Sequence, residues 1–301
     1  IGEVEKLTKL PGFKGYIHDI GGPTANFRHA ACEKQKKLGV CPDRKCLFPK
    51  PCPNLNADHS EYVHLLERAS AVKGVKRVFI RSGIRFDYML ADRKNDFFKR
   101  LVSEHTSGQL KVAPEHCSDN VLKYMGKPSV SVYKRFSDEF YRLSAACGKE
   151  QYLVPYLMSS HPGATLDDAI ELALFLKHNG QRPEQVQDFY PTPGTASTCM
   201  YHTGIDPFTG KSVFVEKTYT GKKLQRALLQ YYKKENQPLI RDALMKCGRS
   251  DLIGNGNDCL VPPAFVPHGK KPVGNDRYAA RKNTVSKGGK RPDSKKNNRR
   301  G

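Results

Sequence analysis

Short apolar runs alternate with amphipathic stretches from Gly15 to about Thr203. Five runs, at 15–22, 75–83, 109–116, 151–163 and 184–194, read as strands that end in Gly- or Pro-containing loops. Between them, apolar residues recur at helical spacing over 60–74 (Val63, Leu66, Ala69), 94–108, 129–149 (Val132, Phe136, Phe140, Leu143) and 165–180. The last of these has the clearest boundaries. Thr165 is a capping residue, Asp167 and Asp168 suit the positive end of the helix dipole, and Gly180 is a stop. This alternation predicts successive βα units and a parallel sheet, open or curled toward a barrel. In such sheets the working residues lie on the loops after the strand carboxyl ends. Those loops read GGPTANFR, RSGIRFD, APEHCSDN, SSHPG and YPTPGTAS, each with Gly or Pro beside polar groups able to hold a ligand.

Beyond Thr203 the pattern changes to two short helices, 224–232 and 238–248, expected to pack as an extension rather than a separate domain. At the other end Ile1, Val4, Leu7 and Leu10 are already at roughly helical spacing and there is no initiator Met. We therefore expect the chain to begin inside a longer protein.

The 301 residues are 38% hydrophobic, enough for a sizeable core, and no run of 18 apolar residues predicts a membrane span. The start is charged and is not a secretory signal. Nine cysteines without such a signal point to a reducing cytoplasm, where clustered thiols more often bind metal or do redox work than form disulfides. The net charge of +21 is uneven: residues 268–301 hold 12 Lys/Arg and 2 Asp/Glu, and almost nothing apolar. That composition predicts a disordered tail, either a solubilising segment or an arm making nonspecific nucleic-acid contacts.

Four cysteines, Cys32, Cys41, Cys46 and Cys52, fall within 21 residues, spaced C-x8-C-x4-C-x5-C. None of these spacings is the C-x2-C of a zinc knuckle. Four thiolates on a loop stiffened by Pro42, Pro49, Pro51 and Pro53 suit zinc or an iron–sulfur cluster; the alternative is a loop of free thiols. The Gly21–Gly22 pair after the first strand lets a ligand approach backbone N–H groups, or serves only the turn. Lys111, Glu115 and His116 surround a strand end, where a Lys and a Glu match a zwitterionic ligand or pair with each other. His161, before Pro162–Gly163, reads as a ligand or acid, or as a hydrogen-bonded loop residue.

The stretches GYIHDIGGPTANFR, LKVAPEHCSDNVLKYMGKPS, YLVPYLMSSHPGATLDDAIELALFLK and QVQDFYPTPGTASTCMYHTG resemble the radical S-adenosylmethionine superfamily, and more narrowly its YgiQ-type proteins, from about Gly15 to Pro263. The resemblance implies an α/β fold, a partial (βα) barrel, with S-adenosylmethionine on a [4Fe-4S] cluster and an unknown substrate. The superfamily's C-x3-C-x2-C motif, on the loop after the first strand, is not present. The resemblance thus implies that this motif lies upstream and that the first βα unit is missing. Units two to six would occupy 1–203, with a Cys-rich insertion at 32–52, an extension at 204–267 and the tail at 268–301. Gly21, Gly22, Pro23 and Thr24 match the loop that meets the cofactor's amino group. Pro23 stands where the commoner form has a glutamate, so Glu115 or the backbone would take that part. Ser82, Arg85 and Lys111 are implied for the ribose and carboxylate, and Ser160, His161 and Gly163 for the adenosyl end. Cys32, Cys41, Cys46 and Cys52 are extra to that core and would hold an auxiliary iron–sulfur cluster or zinc. The competing reading is a non-catalytic, metal-clipped basic module on RNA or the ribosome. Only one aromatic residue, Tyr278, lies among the tail's basic residues, too few for a stacking platform.

Overall fold

Each predicted strand region contains a strand, three of them only two residues long, and helices form in the four stretches predicted between them. The computed structural model describes residues 1–22, 24–94 and 96–264; Pro23 and the expected basic tail lie outside the described residues. The order is α1 (Gly2–Leu7), β1 (Tyr16–Ile17), α2 (Glu33–Leu38), α3 (Ser60–Ser70), β2 (Arg77–Val78), α4 (Phe86–Ala91) and α5 (Asp96–Arg100), which runs into a π turn. Then come β3 (Gln109–Glu115), α6 (Asp119–Met125), α7 (Val130–Ala146), β4 (Tyr152–Ser159), α8 (Leu166–His178) and β5 (Gln187–Asp188). Helices α9 (Ala196–Thr203), α10 (Tyr219–Leu229) and α11 (Gln237–Lys246) complete the described part.

All strand pairs are parallel. β1 pairs with β2, β3 with β4 and β4 with β5. A parallel bridge between Ile84 and Val112 joins the two sheets, so the strands lie in chain order. The described strands do not close into a barrel. β1 and β2 are shorter than predicted for a local reason. Past Phe79, the Asp19 carboxylate accepts the N–H groups of Arg81 (2.9 Å) and Ser82 (3.2 Å), donors that a longer ladder would use.

The core lies between the sheet and its helices. α7 buries Tyr133, Phe136, Phe140 and Leu143 against it, and Phe136 and Phe140 are fully enclosed. Each of those rings contributes about 1.5–3 kcal/mol. The 204–264 segment shares a core with the preceding part. Ala169, Ile170 and Ala173 of α8 pack with Leu224, Ala227 and Leu228 of α10, and with Ile240, Ala243 and Leu244 of α11. Among the described residues, no helix is long and apolar enough to cross a membrane.

These later helices wrap the loop after β4. Gln225 of α10 takes both ends of it, accepting from Ser160 N–H (3.0 Å) and donating to Ala164 O (3.0 Å). His161 Nδ1 is 2.7 Å from the Pro162 carbonyl, which can only accept, so Nδ1 carries the proton and Nε2 accepts from Ser197 Oγ at 2.9 Å. Burial pushes His161 down to about 4, and His116, enclosed nearby, likewise to about 4. Asp168 closes the cluster. Burial pushes its carboxyl up, but bonds from Ser118 Oγ (2.6 Å), Thr165 and Asn120 outweigh this and hold it below the usual range. Thr165 and Asp168 also form the capping box of α8.

Two consequences are measurable. Gly163 has φ +90°, and a Cβ there would enter the Tyr124 ring. Gly163→Ala should lower stability by about 2 kcal/mol or more in urea unfolding; a change under about 0.5 kcal/mol would refute this packing. The second is a pH effect. A histidine at about 4 folded and 6.5 unfolded is protonated first in the unfolded state, so stability should fall as pH drops from about 6.5 to about 4. The difference is worth up to about 3 kcal/mol for one such histidine. His161→Gln should flatten that part of the pH–stability curve, and an unchanged slope would show that His161 is not held neutral.

Candidate functional site: a polar pocket at the strand ends

Pro114 has no N–H to give the sheet, and the β3–β4 register breaks between Val112 and Glu115. There His116 N–H reaches back 2.9 Å to Pro114 O, closing a three-residue turn with Glu115 at its centre and φ +67°. A non-glycine residue seldom adopts this conformation, and it is found at ligand sites more than elsewhere. The turn carries the Glu115 carboxylate into a cavity of about 500 Å³, within the range of small-molecule sites.

Two further loops reach the same cavity. Thr24, after β1, and Arg85, after β2, both line it. Asn26 fixes the Arg85 backbone from both sides, accepting its N–H and donating to its carbonyl, each at 2.9 Å. Behind Asn26 is buried His59, 3.1 Å from Asn26 Nδ2 and 2.8 Å from Asp92 Oδ2. Burial lowers the His59 pKa more than Asp92 raises it, so the ring is neutral, donating to Asp92 and accepting from Asn26. The Arg85 guanidinium itself makes a two-pronged pair with buried Asp87, at 2.9 and 3.0 Å.

Lys127 is the residue that sequence reasoning missed. Gly126 ends α6 in the left-handed conformation, and Lys127 N–H bonds Leu122 O at 3.0 Å. This places the Lys127 ammonium 2.6 Å from Ala113 O and 3.4 Å from Glu115 Oε1. Burial pushes Lys127 down, and Glu115 opposes that shift. The available signal was the Gly–Lys pair after the short apolar pattern of "DNVLKYM". Arg85 pairs with Asp87 and Lys127 with Glu115, so the pocket holds two ion pairs, the second a donor and an acceptor side by side at the strand end.

Apart from Cys46, the other predicted residues that the structure describes lie outside this cavity. Gly21 packs so closely that a Cβ would stand 3.0 Å from Asp19 Oδ1 and 3.3 Å from Ser82 Oγ, which explains the glycine. Gly22 and Ser82 do not line the cavity, and the Ser82 hydroxyl is buried with no hydrogen-bond partner among the described residues. Lys111 shares the strand face of Glu115, but its ammonium lies over the Tyr156 ring at 5.9 Å. Ser160, His161 and Gly163 are enclosed by α6, α9 and α10, as described above, and do not reach the pocket.

The cysteine loop supplies one wall of the pocket through Lys45, Cys46 and Leu47. Behind that wall is a second, small cavity of about 20 Å³, lined by all four of Cys32, Cys41, Cys46 and Cys52 together with Arg44. All four are free thiols. Burial pushes the Cys46 thiol up, and the charges of Cys32, Cys52 and Cys41 push it further. Among the described residues, no three or more His, Cys, Asp or Glu side chains stand in a ligating arrangement. The thiols therefore share a cavity without closing on a point.

Comparison with known proteins gives a family relationship without a stated activity. A UPF0313 protein of Clostridium perfringens is 56% identical over 261 residues, 87% of this chain and 39% of that protein. A UPF0313 protein of Clostridium botulinum strain Okra is 56% identical over 260 residues, covering 86% of this chain and 40% of that one. The chain thus spans about two fifths of the length of these relatives. The family model of a domain of unknown function, DUF3362, matches residues 184–300. No solved structure matches. The close homologues of this chain are thus UPF0313 proteins, the YgiQ-type family.

Proposed function

We propose that this chain forms the S-adenosylmethionine-binding part of a radical enzyme of YgiQ type, with an unassigned substrate, and that the strands are part of an incomplete barrel. One observation carries the reading. Thr24, Arg85 and Glu115, from three loops far apart in sequence, line a single pocket, together with Lys127. The donor set fits the methionine end of the cofactor. Glu115 accepts from an ammonium, and Lys127 donates to a carboxylate. Phe27, also in the lining, offers an aromatic face. The pairing with Asp87 and the Asn26 clasp hold Arg85 in place, so that binding need not order it.

In the superfamily, a [4Fe-4S] cluster supplies the electron that cleaves the bound cofactor. The nine cysteines here include no C-x3-C-x2-C spacing, so they do not fit that cluster. The part of this chain is to bind and orient.

Binding by this chain alone should be weak. Three or four hydrogen bonds at about 0.5–1.5 kcal/mol net give a Kd near 1 mM. Equilibrium dialysis with labelled S-adenosylmethionine should find that range. Glu115→Gln and Lys127→Met should each weaken it by about fivefold, one hydrogen bond's worth. Saturable binding that neither variant alters would place the cofactor elsewhere. RNA retention without any S-adenosylmethionine binding would favour the RNA-module reading.

A further inference from the structure

The segment 31–56 has little to hold it together. Of its apolar side chains only Ala31 and Leu47 are buried, while Leu38 and Val40 are largely exposed. Its backbone framework is sparse. Asn56 N–H closes the mouth on Ala31 O (2.8 Å), and Cys52 N–H bonds Cys46 O (2.8 Å). Cys32 opens α2, whose short run ends at Gly39 just before Cys41. Segments of this kind without a core usually depend on a metal or on disulfides. Here the four cysteines are free and line one cavity.

We propose that Cys32, Cys41, Cys46 and Cys52 bind one thiophilic divalent cation, Zn²⁺, as a structural site. The room between the thiols suits one ion. The cavity of about 20 Å³ is little larger than the space one water occupies, which accommodates a single ion. Four thiolates complete a tetrahedral shell and leave no open position, which marks a structural rather than a catalytic site. The thiols line the cavity without yet converging, so the ion must draw the loop closed. Arg44, also in the lining, offsets part of the excess negative charge of a four-thiolate site. Metal loading then fixes Lys45, Cys46 and Leu47, the wall shared with the larger pocket. This inference does not depend on what the larger pocket holds.

The test is metal binding to the reduced chain. One equivalent of Co²⁺ should give the thiolate charge-transfer and d–d bands of a tetrahedral sulfur site, and one equivalent of Zn²⁺ should bleach them. Zn²⁺ should also shield four thiols that react with a thiol reagent in the metal-free chain, while Cys147, Cys199, Cys247 and Cys259 stay reactive and buried Cys117 is silent in both forms. Cys41→Ser and Cys52→Ser should each weaken Zn²⁺ by more than about 100-fold, beyond what outer-shell changes cause. Cys147→Ser and Cys199→Ser, at exposed positions elsewhere, should leave binding unchanged. Circular dichroism of each variant checks that it is folded. Sub-stoichiometric or octahedral Co²⁺, shielding of other thiols, or a sulfide-containing brown chromophore in anaerobically prepared protein would each overturn the proposal.

Discussion

A proline inside a paired parallel strand is the constraint on which the pocket depends. Pro114 cannot donate to its neighbour, and the partner strand carries Pro155 opposite Val112. The ladder therefore cannot run straight through this point. The chain resolves the conflict with the tight turn at Glu115, which ends the sheet register and turns a carboxylate inward. The same turn delivers His116 to the opposite, sealed cluster, where its Nδ1 accepts from Ser118 N–H at 3.0 Å. One backbone irregularity thus divides the strand ends into an open polar half and a closed one. Lys127, bonded to both Ala113 and Glu115, ties the turn to the end of α6 and offsets part of its strain.

Much of this was legible in the sequence. Period-two and period-3.6 patterns located five strands and the long helices, because burial on one face follows the backbone repeat directly. Lengths were less legible. Asp19 takes two backbone donors with its side chain, and no hydrophobic pattern reports that. The short helices α2, α4, α6 and α9 were missed, each too short for its periodicity to show. α6 mattered most, since its C-terminal glycine sets Lys127.

The site residues divide on the same line. Thr24, Arg85 and Glu115 come from the ends of strands β1 to β3; the rule that ligands gather at strand carboxyl ends pointed to their loops, and the family resemblance to the residues. The Ser160–Gly163 loop obeys the same rule, yet it is covered by Tyr124, Ser197 and Gln225, which come from three other elements. Such covering depends on tertiary packing, which strand-end logic does not include. The clustering of four cysteines among prolines suggested convergence on one metal; the four thiols line one cavity without closing on a point. Its position against the larger pocket, through Cys46, was not encoded in any spacing.

The central claim is that the loops after β1, β2 and β3, together with the cysteine-loop wall, form one binding unit, and that the loop after β4 does not. Hydrogen exchange with saturating S-adenosylmethionine tests it directly, because exchange reports protection segment by segment. The account predicts slowed exchange over 24–27, 45–47, 84–87 and 113–127, the segments that contribute to the pocket or its supports. It predicts no change over 160–164, which is already enclosed by its own hydrogen bonds. Protection centred on 160–164, with none at 84–87 or 113–127, would contradict it.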